Sequence, residues 1–218
     1  MTLSIDVYWS FRSPYSYLAT PRLVEMAAVY DLAVNVRPVY PIAVRLPDFF
    51  ATVNPLWPPY LVRDCIRIAE HQGIAFGWPQ PDPIVQTSIG GRLVTADEQP
   101  YIRRLTRLGQ LASERRRGLP FIAWVSHLIW SGEVRGWNEG DHLARSAERA
   151  GLDLAEMDAI LDAEGERLEA AIQQNQRDHE ASGHWGVPTC VFEAEPFFGQ
   201  DRLELLLWRL KQQGLRER

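Results

Sequence analysis

The apolar residues at the start of the chain first alternate, then follow a helical spacing, then alternate again. Residues 3 to 9 have the period of a half-buried strand, residues 14 to 30 that of a helix, and residues 33 to 39 that of a second strand. A strand, a helix and a strand are therefore predicted in this order. Pro21 should kink the helix, and Pro38 should place the second strand at a sheet edge.

The strand period returns near the end of the chain. It covers residues 189 to 192 and, past a short stretch of small and polar residues, residues 196 to 198. A final amphipathic helix is predicted from about Arg202 to Gln213. A strand–helix–strand unit followed by a hairpin and a helix is the thioredoxin arrangement, so the predicted fold class is α/β with a thioredoxin-like fold.

The middle of the chain has a different pattern, with helices separated by joints rich in Pro and Gly and no predicted strand. The helices are predicted at Leu61 to Gln72, Tyr101 to Arg117, Phe121 to Trp130, Gly140 to Ala150, and Leu154 to about Glu180, the last being long or broken. The prolines between Trp78 and Pro83 favour an extended, stiff loop. We expect a discontinuous thioredoxin-like domain, residues 1–40 and 184–218, interrupted by an all-helical insertion domain at residues 41–183.

Composition and charge narrow the classes of function. A formal net charge of −5 at pH 7 argues against nucleic acid as a partner. No window approaches the roughly 18 apolar residues that a membrane span needs, and the N-terminus lacks a secretory pattern, so we expect a cytoplasmic protein without membrane contact. Arginines make the segment from 100 to 118 basic, either as a solvated helix end or as a site for an anionic small molecule.

The segment Ser13-Pro14-Tyr15-Ser16 lies where the first strand meets the first helix. A helix N-terminus offers free N–H groups and the positive end of the helix dipole, which favour an anion. Thioredoxin-like proteins hold a Cys-x-x-Cys pair there, whereas this chain has Ser13 and Ser16, so it cannot form a disulfide of its own at that point. The alternative is structural, because Ser followed by Pro is a common helix start.

The cysteines stand elsewhere in the chain. Cys65 and Cys190 belong to no metal-type spacing, and we expect buried, reduced thiols and no metal site.

Two further motifs lie near the C-terminus. Val187-Pro188 precedes the third strand of the thioredoxin pattern, a position where the proline is characteristically cis and the preceding residue can pair with an extended ligand. Asp201 with Glu204 resembles a capping box for the last helix. Alternatively, Gln200 and Asp201 hold the charged end of a ligand.

Together the motifs resemble those of the 2-hydroxychromene-2-carboxylate isomerases, relatives of the kappa-class glutathione transferases in the DsbA-like thioredoxin superfamily. The resemblance rests on Ser13-Pro14-Tyr15-Ser16-Tyr17-Leu18, Asn54-Pro55, Gly186-Val187-Pro188-Thr189 and Phe197-Phe198-Gly199-Gln200-Asp201-Arg202-Leu203. It implies glutathione as the cofactor and a role in the catabolism of aromatic compounds. It leaves a homodimer open.

The resemblance also implies a role for each matching residue. Ser13 would be the catalytic residue facing the glutathione sulfur, Val187 and Pro188 would pair with the cysteinyl backbone, and Gln200 and Asp201 would hold the γ-glutamyl end.

A second group of residues is expected where glutathione meets the other substrate. Asn54 and Pro55 would lie there, although Asn before Pro also starts turns. Tyr60 and Trp78 could line an aromatic pocket; they and the comparable Trp57 and Trp137 could equally be core residues.

The implied activity is glutathione-dependent cis–trans isomerisation of an aromatic-derived conjugated 2-oxo acid by reversible thiolate addition. Two alternatives remain open: a kappa-like transferase that conjugates glutathione to electrophiles, and a non-catalytic thioredoxin-fold binding module. The Arg45–Phe50 stretch and the loop from Trp78 to Pro83 match no family motif, which leaves the second substrate open.

Overall fold

The central sheet contains strands from both ends of the chain. The computed structural model describes residues 2–89 and 92–218. Strands β1 (Leu3–Trp9), β2 (Leu32–Pro38), β5 (Thr189–Phe192) and β6 (Glu195–Phe198) form a four-stranded sheet in the order β2-β1-β5-β6. β1 and β2 are parallel, and β5 is antiparallel to both of its neighbours. The predicted thioredoxin-like α/β fold is confirmed, with β2 at an edge as Pro38 indicated.

Two helices of the thioredoxin pattern complete this unit. Helix α1 (Pro14–Val29) connects β1 to β2 and continues through Pro21, and α9 (Leu203–Gln212) follows β6 after a 3-10 turn at Gln200–Arg202. The first turn of α1 is bound to the end of β1, since the buried Trp9 indole donates to the Ser16 carbonyl at 3.0 Å. This hydrogen bond fixes the junction between the strand and the helix.

The middle of the chain is mostly helical. Its helices are α2 (Ile42–Arg45), α3 (Phe49–Thr52), α4 (Trp57–Gln72), α5 (Pro100–Glu114), α6 (Gly118–Trp130), α7 (His142–Arg149) and α8 (Leu154–Ala181). Non-helical angles at Glu164, φ −126° and ψ 22°, interrupt α8, which is thus both long and broken. Within the described ranges, no helix is long and apolar enough to cross a membrane.

The expectation of an all-helical insertion without strands is wrong at one place. β3 (Gln86–Ile89) and β4 (Arg92–Thr95) form an antiparallel hairpin that pairs Gln86 with Thr95 and Thr87 with Val94. The sequence carries the signal for it, because a Gly-Gly pair stands between short stretches that contain Thr, Ile and Val. These stretches are too short and polar for an alternating pattern to stand out.

One hydrophobic core joins the sheet to the helices of the middle segment. It includes Val7 of β1, Phe121 of α6, Leu168 of α8 and Leu206 of α9, all fully buried. Helix α5 approaches so closely that a side chain at Gly109 would place its Cβ 2.8 Å from the Phe11 ring. The residues just before Ser13 are therefore wedged between the sheet and this helical layer.

Three arginines of the basic segment before residue 118 join α5 and the residue after it to α8. Arg104, Arg107 and Arg115 bind Asp158, Glu169 and Glu156 of α8 at 2.6, 3.1 and 2.7 Å. These arginines are occupied by carboxylates of the protein itself. An anionic ligand would have to displace them.

Candidate functional site

Ser13 begins α1 and also faces the loop before β5. Its Oγ accepts a hydrogen bond from the Ser16 backbone N–H at 3.2 Å, and its backbone angles, φ −98° and ψ 114°, are those of an N-cap. The same hydroxyl donates to the Val187 carbonyl at 3.2 Å. Thus the structural interpretation of Ser13 is confirmed, and the two motifs that the sequence placed 174 positions apart meet in space.

The Val187–Pro188 peptide bond is cis, as predicted. The Pro188 carbonyl accepts from the Gly199 N–H at 2.9 Å, which ties the start of β5 to the end of β6. The Val187 carbonyl is the group that accepts from Ser13. Within the described part of the chain, the Val187 N–H has no hydrogen-bond partner.

The peptide groups before Val187 are held firmly. The Gly186 N–H donates to Nδ1 of His184 at 2.9 Å, and the Gly186 carbonyl accepts from the Thr189 hydroxyl at 2.6 Å. The carbonyl of Trp185 accepts from the Arg45 guanidinium at 2.8 Å. The Val187 N–H lies in this partly buried loop without a partner among the described residues, so it is a donor available to a ligand.

Gln200 and Asp201 lie beside this loop in the turn before α9. Gly199 has φ 107°, and a Cβ there would lie 2.5 Å from the Asp201 carboxylate, so the turn requires glycine. The Gln200 side-chain oxygen accepts from Gln72 of α4 at 3.3 Å. The Asp201 carboxylate is exposed and pairs with Arg202 at 2.7 Å.

The predicted capping box at Asp201 and Glu204 is not formed. Helix α9 begins at Leu203 with Arg202 at the N-cap and no side-chain cap hydrogen bond, and the preceding 3-10 turn has none either. Glu204 instead binds Arg22 of α1 at 2.6 Å. The 3-10 turn at Gln200–Arg202 moves the helix N-cap by one residue, from Asp201 to Arg202, so Glu204 no longer lies three residues after the cap as a capping box needs.

Arg12 precedes Ser13 and connects this corner to the proline-rich loop. Its guanidinium forms two hydrogen bonds to Asp82, at 2.5 and 2.7 Å. It also lies near two indole rings that contact each other, 5.6 Å from the centroid of Trp78 and 5.4 Å from that of Trp130. Trp78, one of the predicted substrate-binding residues, is therefore positioned next to the Ser13 turn.

Tyr15, on the other side of Ser13, is linked to α4. Its hydroxyl donates to Asp64 at 2.9 Å, and the hydroxyl of Tyr60 donates to the same carboxylate at 3.3 Å. Burial raises the pKa of Tyr15, and the hydrogen bond to Asp64 raises it further, so the phenol stays protonated. Tyr60, another predicted substrate-binding residue, is thus linked to the first turn of α1 through the Asp64 carboxylate that it shares with Tyr15.

Asn54 and Pro55 are not joined to the others by any described contact. The Asn54 side chain accepts from the Leu56 N–H at 3.0 Å, and both residues are exposed, which supports the interpretation of Asn54 as a turn residue. Trp137 is a core residue, buried to 2% exposure with its indole N–H on the Pro81 carbonyl at 2.7 Å.

An aromatic cluster lies between α3 and the loop before Val187. We define it as Phe49, Phe50, Trp57 and Trp185. The ring of Phe49 lies 5.3 Å from that of Phe50, 5.9 Å from Trp57 and 5.6 Å from Trp185, measured between centroids. Trp185 is 49% exposed although its ring contacts Phe49, so the indole offers apolar surface beside the cis-proline loop.

The site contains no thiol of its own. Both cysteines are free and buried, Cys65 in α4 and Cys190 in β5. Burial raises the pKa of each thiol to about 12, so neither forms an appreciable amount of thiolate at neutral pH. The expectation of buried, reduced cysteines is confirmed. Thiol chemistry at Ser13 needs a sulfur from a ligand.

A family model for the DsbA-like thioredoxin domain matches residues 4–211. The chain belongs to the DsbA-like thioredoxin family. A search of curated protein sequences finds no significant match.

Solved structures of DsbA-like thioredoxin proteins have the same fold. A 2-hydroxychromene-2-carboxylate isomerase is 22% identical, with a TM-score of 0.69 and coverage of 96% of this chain and 95% of that one. A probable DsbA oxidoreductase from Streptomyces coelicolor is 18% identical, with a TM-score of 0.65 and coverage of 96% and 89%. The cytosolic disulfide reductase DsbM from Pseudomonas aeruginosa is 18% identical, with a TM-score of 0.60 and coverage of 96% and 100%.

Two contacts beside Ser13 are not predicted from the sequence. Arg12 pairs with a residue 70 positions away, and Tyr15 with one 49 positions away. Both flank the Ser13-Pro14 pair, and their polar groups beside a predicted helix start are the signal that could have drawn attention to them.

Proposed function

We propose that the protein binds glutathione across Ser13 and the cis-proline loop and uses it to isomerise a conjugated aromatic 2-oxo acid. The observation that carries the proposal is the unpaired Val187 N–H next to the Ser13 hydroxyl at the N-terminus of α1. An extended peptide backbone can pair with such a group as a further strand would. The helix dipole at the same point favours a negatively charged sulfur.

The residues at this corner fit the parts of glutathione. Val187 would pair with the cysteinyl backbone, and Ser13 would face the sulfur. Gln200 and Asp201 follow Gly199, whose N–H bonds the Pro188 carbonyl, and would hold the γ-glutamyl end, with the Asp201 carboxylate on its ammonium group. The structure of DsbM from Pseudomonas aeruginosa with glutathione supports binding of this ligand by the same fold.

Bound glutathione would supply a thiolate that adds reversibly to a conjugated carbon, so that a double bond becomes a rotatable single bond before the thiolate leaves again. Ser13 would donate a hydrogen bond to the sulfur and, with the helix dipole, lower its pKa below the usual value of about 8.5 for a thiol. Ser13 itself forms no bond to carbon. Because the thiolate leaves unchanged, glutathione is not consumed.

The second substrate would lie between the two tryptophan-bearing segments beside Ser13. Trp78 is 37% exposed on the Arg12 side, and Trp185 offers its ring on the cis-proline side. Tyr60 is 54% exposed and held through Asp64. Flat aromatic molecules bind such surfaces well. The structural similarity to a 2-hydroxychromene-2-carboxylate isomerase adds support for this substrate class.

Disulfide exchange by the protein's own cysteines is not proposed, since both thiols are buried with raised pKa values. Glutathione transfer to an electrophile would use the same site and differs only in whether the adduct releases the thiolate.

We place the protein in the cytoplasm, where glutathione keeps thiols reduced. DsbM is likewise described as cytosolic.

The test combines binding and product analysis. Glutathione binding is measured by calorimetry, and the complex is then incubated with 2-hydroxychromene-2-carboxylate and, separately, with a chlorodinitrobenzene-type electrophile. Isomer formation with glutathione unconsumed supports the proposal. A stable conjugate as the only product supports the transferase instead, and absence of binding at millimolar glutathione supports a non-catalytic module.

A further inference from the structure

The hydrogen of the Ser13 hydroxyl is already in use in this structure. A serine hydroxyl carries one hydrogen to donate, and here it is donated to the Val187 carbonyl at 3.2 Å. The lone pairs of the oxygen are separately engaged, since Oγ accepts from the Ser16 N–H at 3.2 Å. Ser13 can therefore donate to a ligand sulfur only if its hydrogen leaves Val187.

Among the described residues, the two N–H groups beside the Val187–Pro188 bond that could replace Ser13 as donor are already engaged. The Gly186 N–H is taken by His184, and the Gly199 N–H by the Pro188 carbonyl. A carbonyl that loses its hydrogen bond in a partly buried site is disfavoured. Moving the hydroxyl from Val187 to a ligand therefore leaves this carbonyl without a donor unless one arrives from outside the chain.

We propose that the ligand's own cysteinyl N–H is this donor, so that Ser13 stabilises a thiolate only when the thiol comes with a backbone that pairs with Val187. In the pairing that the loop permits, the Val187 N–H donates to the ligand and the Val187 carbonyl accepts the ligand's N–H. The Ser13 hydroxyl then turns to the sulfur. This inference rests on the proposed binding of glutathione across the loop.

As a consequence, bound thiols would differ in pKa, and hence in reactivity, and not only in affinity. Glutathione and other γ-glutamylcysteinyl compounds have the required N–H. Simple thiols such as mercaptoethanol lack it and would leave the Ser13 hydrogen on Val187, with the sulfur near its ordinary pKa. Ser13 and Val187 together would therefore determine which thiols are activated.

The experiment compares glutathione with its analogue in which the amide N–H between the γ-glutamyl and cysteinyl parts is replaced by an ester oxygen. The pKa of each bound thiol is titrated by thiolate absorbance on the wild-type protein, on Ser13→Ala and on Ser13→Gly. Glycine is included because it retains most of the N-cap preference and guards against misfolding of the alanine variant. Ser13→Thr keeps the hydroxyl and is the matched control.

On the wild-type protein and Ser13→Thr, we expect the bound thiol of glutathione to have a pKa about 1 unit or more below that of the bound ester. On Ser13→Ala and Ser13→Gly this difference should disappear. Equal pKa values for the two ligands on the wild-type protein, or a difference that persists without the hydroxyl, overturn the inference while leaving glutathione binding intact. Failure of the wild-type protein to bind glutathione overturns the proposed function as well.

Discussion

At the scale of single residues, Ser13 combines the cap of a helix with a contact to the loop that would receive a ligand. One oxygen accepts from Ser16 and donates to Val187, so local helix formation and the long-range contact depend on the same side chain. Asp201 is simpler. Its carboxylate is exposed and, among the described residues, forms an ion pair with its neighbour Arg202 alone, and such surface pairs contribute little to stability.

This contrast leads to a prediction for Asp201. Asp201→Asn should weaken glutathione binding by about 1.5 to 3 kcal/mol, since it removes a charge-assisted hydrogen bond. The free energy of unfolding should change by less than about 1 kcal/mol. Calorimetry and urea unfolding measure the two effects, with Glu204→Gln as the control because Glu204 binds Arg22. Unchanged affinity in Asp201→Asn would remove Asp201 from the proposed site.

At the scale of secondary structure elements, two side-chain contacts, which we call clamps, join the start of α1 to neighbouring segments. Arg12 joins the start of α1 to the proline-rich loop through Asp82, and Tyr15 joins it to α4 through Asp64. Arginine is suited to the first clamp, because its planar guanidinium bonds both oxygens of Asp82 and also lies within cation–π distance of Trp78 and Trp130.

We expect Arg12→Lys to destabilise the protein although the charge is kept. The loss of the second hydrogen bond and the weakening of the cation–π contacts should lower the free energy of unfolding by about 1 to 3 kcal/mol. Arg104→Lys is the matched control, since Arg104 also bonds both oxygens of an aspartate, Asp158, but is more exposed. It should cost less than about 1 kcal/mol. Equal losses in urea unfolding would show that the tryptophans add nothing.

The elements also show what the sequence could and could not predict. Period-2 and helical patterns are sufficient for the sheet strands, α1, α9 and the long helices, because their apolar residues recur at strand or helix spacing. The hairpin at Gln86–Thr95 was missed, since its strands are short and polar. The Asp201 capping box failed because a 3-10 turn precedes α9. The clamps could not be predicted, since local periodicity contains no information on partners 49 or 70 positions apart.

At the scale of the whole molecule, a buried histidine lies where the sheet, α8 and the cis-proline loop meet. His179 of α8 is fully buried and stacks on Tyr8 of β1 with centroids 4.6 Å apart. Neither ring nitrogen has a partner among the described residues. Burial, with smaller contributions from the nearby charges of Arg45 and His184, lowers the pKa of His179 to about 3.

This histidine predicts a specific acid sensitivity. The unfolded chain binds a proton at His179 below about pH 6.5, whereas the folded protein does so only near pH 3, so stability falls as the pH falls through this window. The slope from one such group is about 1.4 kcal/mol per pH unit. His179→Phe, which keeps a ring on Tyr8, should gain about 2 kcal/mol relative to the wild type between pH 6.5 and 4.5.

Urea unfolding at several pH values measures this difference directly. His71→Gln is the control, because His71 is exposed on α4 and its replacement should leave the acid limb as in the wild type. Parallel pH profiles for His179→Phe and the wild type would mean that the buried ring does not carry the acid sensitivity.

We propose that Ser13 stabilises the thiolate of a bound ligand. The pKa of the glutathione thiol bound to the wild-type protein and to Ser13→Ala tests this role most directly. Ultraviolet thiolate absorbance should give a pKa about 1 to 2 units higher on Ser13→Ala, with Ser16→Ala as the control that leaves it unchanged. The isomerase rate of Ser13→Ala should recover as the pH rises, since base then generates the thiolate. The same bound-thiol pKa on both proteins would contradict the account and leave Ser13 as a helix cap.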